Sequence, residues 1–505
     1  MKLLWVKSNE KTRIPEVDEF KQSIFDTGHV IGELAKKLFP DGIELSVDDF
    51  RESIKLTKES LDKKKPLFEA AFMVDELYSR ADILSPNEDG SWDIYEVKSS
   101  TRVKDINLHD VSFQKYVYEL AGLKIRKSFL VHINNKYVKD GEFNVEEFFH
   151  ISDVSTNVEE FGIDIESRVL GMLSMMMGDE PNVDIGGHCS VPYSCDLESG
   201  CWKHVKDGSV FELYRGGERC VDLFENGVSE LKDIPESYRL SANQIIQRDV
   251  ACNNKEHVDK ESVKYFLGRL QYPIYYLDFE TINPAIPKFD GMRPYQRIPF
   301  QFSLHVQEEA GGPLLTPDTG LQIPETKDEG KKKRGENGEN LKHVSFLHKG
   351  TDDPRQAFMQ ALKDNLGDAG TILVYNQSFE IGVMRESAAT FSEFSEWFRN
   401  IQPRIIDLLE PFKNFNYYHY NQKGSCSIKA VLPIFSDLNY KELKIGNGAL
   451  ANLLYEKATF GGEMSDDEKK KIYDNLEVYC HQDTLAEVKI VEGLMMKTGY
   501  QTSDV

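Results

Sequence analysis

Asp278 and Glu280 stand two residues apart in the stretch YYLDFETINPAIP, which begins at Tyr275. On a β-strand, residues two apart project from one face, so the pair sets two carboxylates side by side. Leaving both ionised in a half-buried place is costly unless a cation lies between them, and a divalent metal is the usual partner. Strands often carry two acids on a solvent face, so the pair alone is a weak signal. Two further stretches strengthen it. TILVYNQSFEIGVM reads as a buried strand running into Asn376 and then Glu380 at the start of a helix. NLEVYCHQDTLAEVKIV reads as a helix with Tyr479 and Asp483 four apart, hence on one face.

These residues resemble the motifs of the DEDD exonucleases of the ribonuclease H-like fold, the group that includes polymerase proofreading domains. The resemblance covers residues from about 270 to about 490 and rests on Asp278 and Glu280, then Glu380, then Tyr479 with Asp483. It implies a 3′-to-5′ exonuclease using Mg²⁺ or Mn²⁺. The departure is Glu380, where the family carries Asp, and the longer side chain shifts metal geometry by about one methylene. The chemistry is consistent with the residue types: two metals roughly 4 Å apart generate a nucleophile from water and stabilise charge on the leaving oxygen, and four carboxylates make a suitable cage. In this reading Asp278 bridges the metals, Glu280 and Asp483 complete their shells, and Tyr479 orients or helps deprotonate the attacking water; the alternative for Tyr479 is core packing. Asp407 in RIIDLLEP reads as a helix cap. GSCSIKAVLP reads as a loop and helix packing near the site, with no clear chemical role.

A second set occupies YSRADILSPNEDGSWDIYEVKSST, where Asp82 ends one strand and Glu96 and Lys98 share a face of the next. The following helix, FQKYVYEL, sets Gln114 and Tyr118 four apart. The D…E-x-K spacing with Q-x-x-x-Y behind it resembles the RecB-like branch of the PD-(D/E)XK nucleases, over residues from about 20 to about 135. The resemblance implies that Asp82 and Glu96 hold Mg²⁺ and that Lys98 orients or activates water. It also places Glu33, on an earlier helix, at that branch's additional acidic position.

Cys189, Cys195 and Cys201 are evenly spaced, with His188 and His204 flanking them. Seven cysteines without an export signal favour reduced thiols or a metal site over disulfides. RecB-like nucleases often carry a cysteine trio that joins an upstream cysteine around a 4Fe–4S cluster. No cysteine precedes Cys189 here, so Cys220, Cys252 or a histidine such as His188 would have to complete the set. Soft thiolates suit zinc or iron–sulfur alike; reduced surface thiols are the plain alternative.

The elements that must carry these groups alternate helix and strand, which predicts an α/β multidomain protein. A PD-(D/E)XK restriction-endonuclease-like domain is expected over 1–180, a Cys-rich segment with a helical linker over 181–265, and a ribonuclease H-like domain over 266–505. Within the last, residues 308–342 are Gly-, Pro- and charge-rich and are expected to form a disordered insertion. FKQSIFDTGHVIGELAKKLFPDG has helical periodicity and is expected to end at Pro40 and Gly42. No apolar run is long enough to span a bilayer, and the first residues turn polar too soon for a secretory signal, so a cytoplasmic protein without membrane attachment is expected.

A net charge of −23 argues against coating nucleic acid through bulk electrostatics. It is compatible with an enzyme that grips a few phosphates. The complete arrangement resembles an uncharacterised bacterial family that joins a RecB-like region, a cysteine segment and a DEDD-type region. A metal-dependent nuclease acting on DNA or RNA, single-stranded or at ends, is the leading expectation. The competing expectation is a catalytically degenerate nucleic-acid-binding module that recruits partners in defence or repair. A third is an enzyme acting on short oligonucleotides or nucleotide-like molecules.

Overall fold

The computed structural model describes residues 1–308, 341–462 and 464–500. Most of the expected insertion, including KKKRGEN, lies outside the described residues. The protein is a mixed α/β chain of two compact units: Met1–His204 with Asn283–Gln296, and Val205–Ile282 with Arg297–Val505.

The first unit is built on a six-stranded sheet whose strands follow chain order: β1 (Ile43–Glu44), β2 (Leu67–Val74), β3 (Leu77–Pro86), β4 (Trp92–Lys98), β5 (Ile125–Ile133) and β6 (Phe149–Asp153). Strands β2, β3 and β4 form an antiparallel meander. Strands β4 and β5 are parallel and so need a crossover, supplied by helix α2 (Asp105–Leu120). An earlier helix, α1 (Glu19–Lys36), begins at Asp18, whose side chain accepts from the Lys21 amide. It stops at Lys36, short of Pro40. The α2 residues Leu108, Val111, Val117 and Tyr118 fall at helical spacing and pack on Phe72, Ala81, Leu84, Ile94 and Leu130 of the sheet.

The second unit centres on β7 (Ile274–Ile282), with β8 (Ile298–Gln307), β9 (Leu341–Leu347), β10 (Thr371–Val374) and β11 (Ile405–Asp407) in the order β9-β8-β7-β10-β11. Strand β8 runs antiparallel to both its neighbours, β9 and β7, while β10 and β11 run parallel to β7. Strand β7 is covered on both faces. Tyr275, Leu277 and Phe279 pack with Phe302, Phe358 and Val383; Ile274 and Tyr276 pack with Val488, Val491 and Leu494 of the long helix α6 (Asp466–Thr498). That helix begins with a capping box in which Ser465 and Glu468 satisfy each other's amides. Three further helices complete the surroundings of β7: α3 (Gln377–Thr390), α4 (Ile428–Phe435) and α5 (Gly448–Phe460).

Helices α4 and α6 approach closely at Gly493, where an added Cβ would lie 2.2 Å from Phe435 Cδ1 and 2.8 Å from its Cβ. The clash reaches the ring's root, so the ring cannot simply swing away. Gly493→Ala gains about 1 kcal/mol of helix propensity but forces α4 outward, and overpacking of this kind costs about 1–3 kcal/mol. Urea denaturation should therefore show no stabilisation, or a net loss, in place of the gain that an unpacked helical glycine would give.

Candidate metal centre

The face of β7 that meets α6 changes character along its length. Ile274 and Tyr276 are followed on the same side by Asp278 and Glu280, and a register shift after Glu280 interrupts the regular pairing with β8. Helix α6 changes in step: Val488, Val491 and Leu494 are buried at one end, Asp483 and Tyr479 at the other. One carboxylate oxygen from each of Asp278, Glu280 and Asp483 comes within 4.8 Å of the others. This is a donor set of the kind that hard divalent cations take.

The surrounding donors are few. Tyr440 donates its hydroxyl to Asp483 Oδ1 at 2.6 Å, and Tyr479 adds a weaker interaction with the same carboxylate. Lys429 Nζ, held by the Gly446 carbonyl at 2.5 Å, lies 5.1 Å from the Tyr440 ring centre and 5.4 Å from that of Tyr479. The start of α5 is also near, since a Cβ on Gly448 would stand 3.6 Å from Glu280 Oε2. Against this, burial pushes Asp278 and Glu280 well above the usual carboxylate range, and the neighbouring acids push them further. Burial raises Asp483 to about 6, with the Tyr440 hydrogen bond and Lys429 opposing. Burial, and then the neighbouring acids, drive the Tyr479 phenol far up, so without a cation in the site it is a protonated hydrogen-bond donor. Cys480, buried beside them, has Sγ 3.9 Å from Asp278 Oδ2.

Glu380 sits one turn into α3. The chain enters this helix through Asn376 in the left-handed conformation, φ +84°, which Asn tolerates better than most residues. The Asn376 amide donates to Asp407 Oδ1 at 2.9 Å and the Leu409 amide to the same oxygen at 3.0 Å. Asp407 thus holds two loop amides together at the end of β11. Glu380 is outside the three-carboxylate set, but Asp278 is close enough to raise it after burial. Its Oε2 is buried with no hydrogen-bond partner among the described residues. Glu487, one turn beyond Asp483, is fully buried with both oxygens unpartnered in the same sense. The Tyr375 amide lowers it slightly without completing a normal hydrogen bond, while burial and Asp278, Glu380 and Asp483 raise it. Tyr440, Lys429 and Glu487 are additions to the residues read from sequence. Lys429 lies in GSCSIKAVLP, and Glu487 continues the four-residue spacing of Tyr479 and Asp483.

The first unit's acids have different surroundings. Asp82 lies mid-strand in β3, not at a strand end, one residue before the Ile83–Tyr95 pair that sets it against Glu96. Its Oδ2 accepts from the Val97 amide at 2.7 Å. Glu96 has both oxygens engaged, by Lys98 Nζ at 2.6 Å and by Gln114 Nε2 at 2.7 Å. Lys98 also reaches Asp110 Oδ2 at 2.7 Å, and Asp110, Gln114 and Tyr118 follow at four-residue steps along α2. The Tyr118 hydroxyl is buried near Ser79 without a normal hydrogen bond. Lys98 is held protonated by its two carboxylates, whereas burial and Asp82 raise Glu96 to about 8. With three acids around one lysine, the cluster retains a proton near neutrality. Glu33 is exposed and pairs with Lys36, which also binds Glu44; it does not join this network. Glu69, at φ +58° in β2 and paired to Arg80, is a further acid that feels Asp82.

All seven cysteines are free thiols. The Cys195 amide donates to the Cys189 carbonyl at 2.7 Å, folding that loop back on itself. Among the described residues, no three of Cys189, Cys195, Cys201 and His188 converge closely enough to share an ion. As placed, these donors do not form a single-ion site such as zinc takes.

Two consequences are measurable. Because the carboxylates of the second unit titrate high when folded, the metal-free protein binds more protons than the unfolded chain near neutrality. The stability that this adds is present at low pH and lost as pH rises through about 6. In chelator, Asp483→Asn should melt above wild type at about pH 8, by about 2–4 °C, with the gap closing toward about pH 5; saturating Mn²⁺ should reverse the order. In the first unit, Gln114→Leu strips Glu96 Oε2 of its donor, and chemical denaturation should show a loss of about 1–3 kcal/mol.

Residues 275–427 match the profile of DUF2779, a domain of unknown function. The match contains Asp278, Glu280, Glu380 and Asp407 and ends before Tyr440, Tyr479 and Asp483. The chain is also similar to the uncharacterized protein UU173 of Ureaplasma parvum serovar 3, at 26% identity over 262 residues, covering 47% of this chain and 33% of that protein. The chain therefore spans about a third of that relative's length. No solved structure matches.

Proposed function

We propose that the protein is a metal-dependent nuclease that hydrolyses phosphodiester bonds of DNA or RNA, with 3′-to-5′ exonuclease chemistry in the second unit. The observation that carries this reading is the meeting of Asp278, Glu280 and Asp483, the first half-buried and the other two buried, all short of donors, at the acidic end of an otherwise apolar strand–helix interface. Buried carboxylates in that state need cations. The strand order of the second sheet, third-second-first-fourth-fifth with the first three antiparallel, supports the ribonuclease H-like reading by fold analogy. The meander of β2–β4 and the α2 crossover to a parallel β5 support the PD-(D/E)XK reading in the same way.

Asp278, Glu280 and Asp483 would hold Mg²⁺ or Mn²⁺. Bound there, the ions would polarise the phosphodiester and acidify the attacking water. Tyr440 fixes the Asp483 carboxylate through its hydroxyl, leaving Oδ2 for a ligand. As a phenol, Tyr479 offers a hydrogen bond that orients water or a non-bridging oxygen. Lys429 places a cationic side chain behind both tyrosine rings, where it moderates the repulsion among the acids.

One observation favours a different role for the first unit. Glu96 already has a donor on each oxygen and Lys98 is tied to two acids, so these carboxylates have internal donors of a kind that Glu380 and Glu487 lack. We assign the first unit to gripping the strand, as the binding-module reading would have it.

End-labelled single-stranded DNA and RNA, incubated with Mn²⁺ or Mg²⁺, test the assignment. Laddering from the 3′ end should vanish in Asp278→Ala with Glu280→Ala, fall by about 10–100-fold in Tyr440→Phe, and survive in Asp82→Ala with Lys98→Ala. Laddering lost only in the Asp82/Lys98 variant would move the chemistry to the first unit. Intact Mn²⁺ binding without cleavage of either polymer would replace the nuclease by a binding module.

A further inference from the structure

We propose that His305, His343 and His481 form a second metal site in the second unit, softer than the carboxylate site and suited to Zn²⁺. Each imidazole offers one ring nitrogen, and the three nitrogens lie within 4.8 Å of one another. Tetrahedral zinc, about 2.0 Å from each nitrogen, would set them about 3.3 Å apart, a closure within reach of small side-chain rotations.

The placement follows from sheet register. His343 of β9 pairs directly with His305 of β8, which in turn pairs with Tyr276 of β7. All three therefore share the face that α6 covers, and His481 approaches from that helix. The rings are 4.5 Å (His305–His343), 4.8 Å (His305–His481) and 4.4 Å (His343–His481) apart between centres.

The second ring nitrogens are already assigned. His305 Nδ1 is 2.8 Å from Thr484 Oγ1, and His343 Nε2 is 2.9 Å from Ser303 Oγ; the two hydroxyls are themselves 2.7 Å apart. Metal-bound histidines characteristically use the other nitrogen in this way, which fixes tautomer and ring orientation. In the proposed site His305 Nε2 and His343 Nδ1 would be the nitrogens that face an ion. Burial, with the neighbouring imidazoles, depresses His305 to about 2 and His343 to about 4, so both are neutral ligands at pH 7. Three imidazoles select zinc, copper or nickel, whereas three carboxylates select magnesium or manganese. Two sites on one helix, Asp483 and His481 two residues apart, would thus sort metals by softness. An ion on the histidines would tie the edge strand β9 to α6, the helix that carries Asp483.

The test is independent of nuclease activity. The full-length protein, stripped with chelator and titrated with Co²⁺, should develop the visible bands of a tetrahedral nitrogen site without the near-ultraviolet charge transfer that thiolates give. Zn²⁺ competition against a chromogenic chelator should read one site. His343→Ala, on an edge strand where the fold tolerates it, should lose the bands and weaken Zn²⁺ more than about a hundredfold; Thr484→Val and Ser303→Ala should weaken it about 10–100-fold. Asp278→Asn should leave the Zn²⁺ site unchanged while weakening Mn²⁺. The proposal is overturned if His343→Ala and Thr484→Val keep wild-type Zn²⁺ affinity, if the cobalt spectrum is that of thiolates alone, if Asp278→Asn removes the Zn²⁺ site, or if wild type binds no Zn²⁺.

Discussion

The second unit is organised around a cluster of carboxylates that burial should forbid. Asp278, Glu280 and Asp483 meet at a largely buried interface with Glu380 and Glu487 near them, and Lys429 and Arg297 are the cations that act on the group among the described residues. Such an arrangement costs stability while metal-free, and the remainder of the interface must offset it. The same strand and helix do so further along, where Ile274 and Tyr276 pack on Val488, Val491 and Leu494. Apolar packing and acid repulsion therefore share one pair of elements. Packing at one end holds the carboxylates together at the other, which is the trade that a preorganised cation site requires.

The two units treat buried acids in opposite ways. In the first, Lys98, Gln114 and the Val97 amide supply donors to Glu96 and Asp82. These bonds hold the acids in place, while Gln114 Oε1 and the Tyr118 hydroxyl beside them have no partner among the described residues. In the second, oxygens of Glu380 and Glu487 are left without partners among the described residues. Buried polar groups are seldom orphaned without a reason, and a ligand cation supplies one. The contrast separates the units chemically although both carry acids at motif spacing.

Local spacing made several of these residues legible. The D-x-E pair had to share a strand face, Tyr479 and Asp483 a helix face, and Gln114 and Tyr118 another. The same rule reaches Glu487 and Asp110, which continue those helical rows by four residues in each direction. Lys429 and Tyr440 had no such signal: they come from a short helix and the loop after it, and only folding turns them toward Asp483. The location of Asp82 within β3 was likewise hidden, because a strand's end depends on its neighbour's pairing and not on its own residues.

Periodicity and residue type thus determined by themselves that the chain is α/β, where the acid pairs lie and which faces they share, because these are properties of one element at a time. Tertiary structure decided which of those acids meet, which are satisfied and which are left charged or protonated in the dark. It also gathered His305, His343 and His481 from two strands and a helix. Register between strands and the packing of a helix across them set these distances, and both depend on contacts between residues tens to hundreds of positions apart.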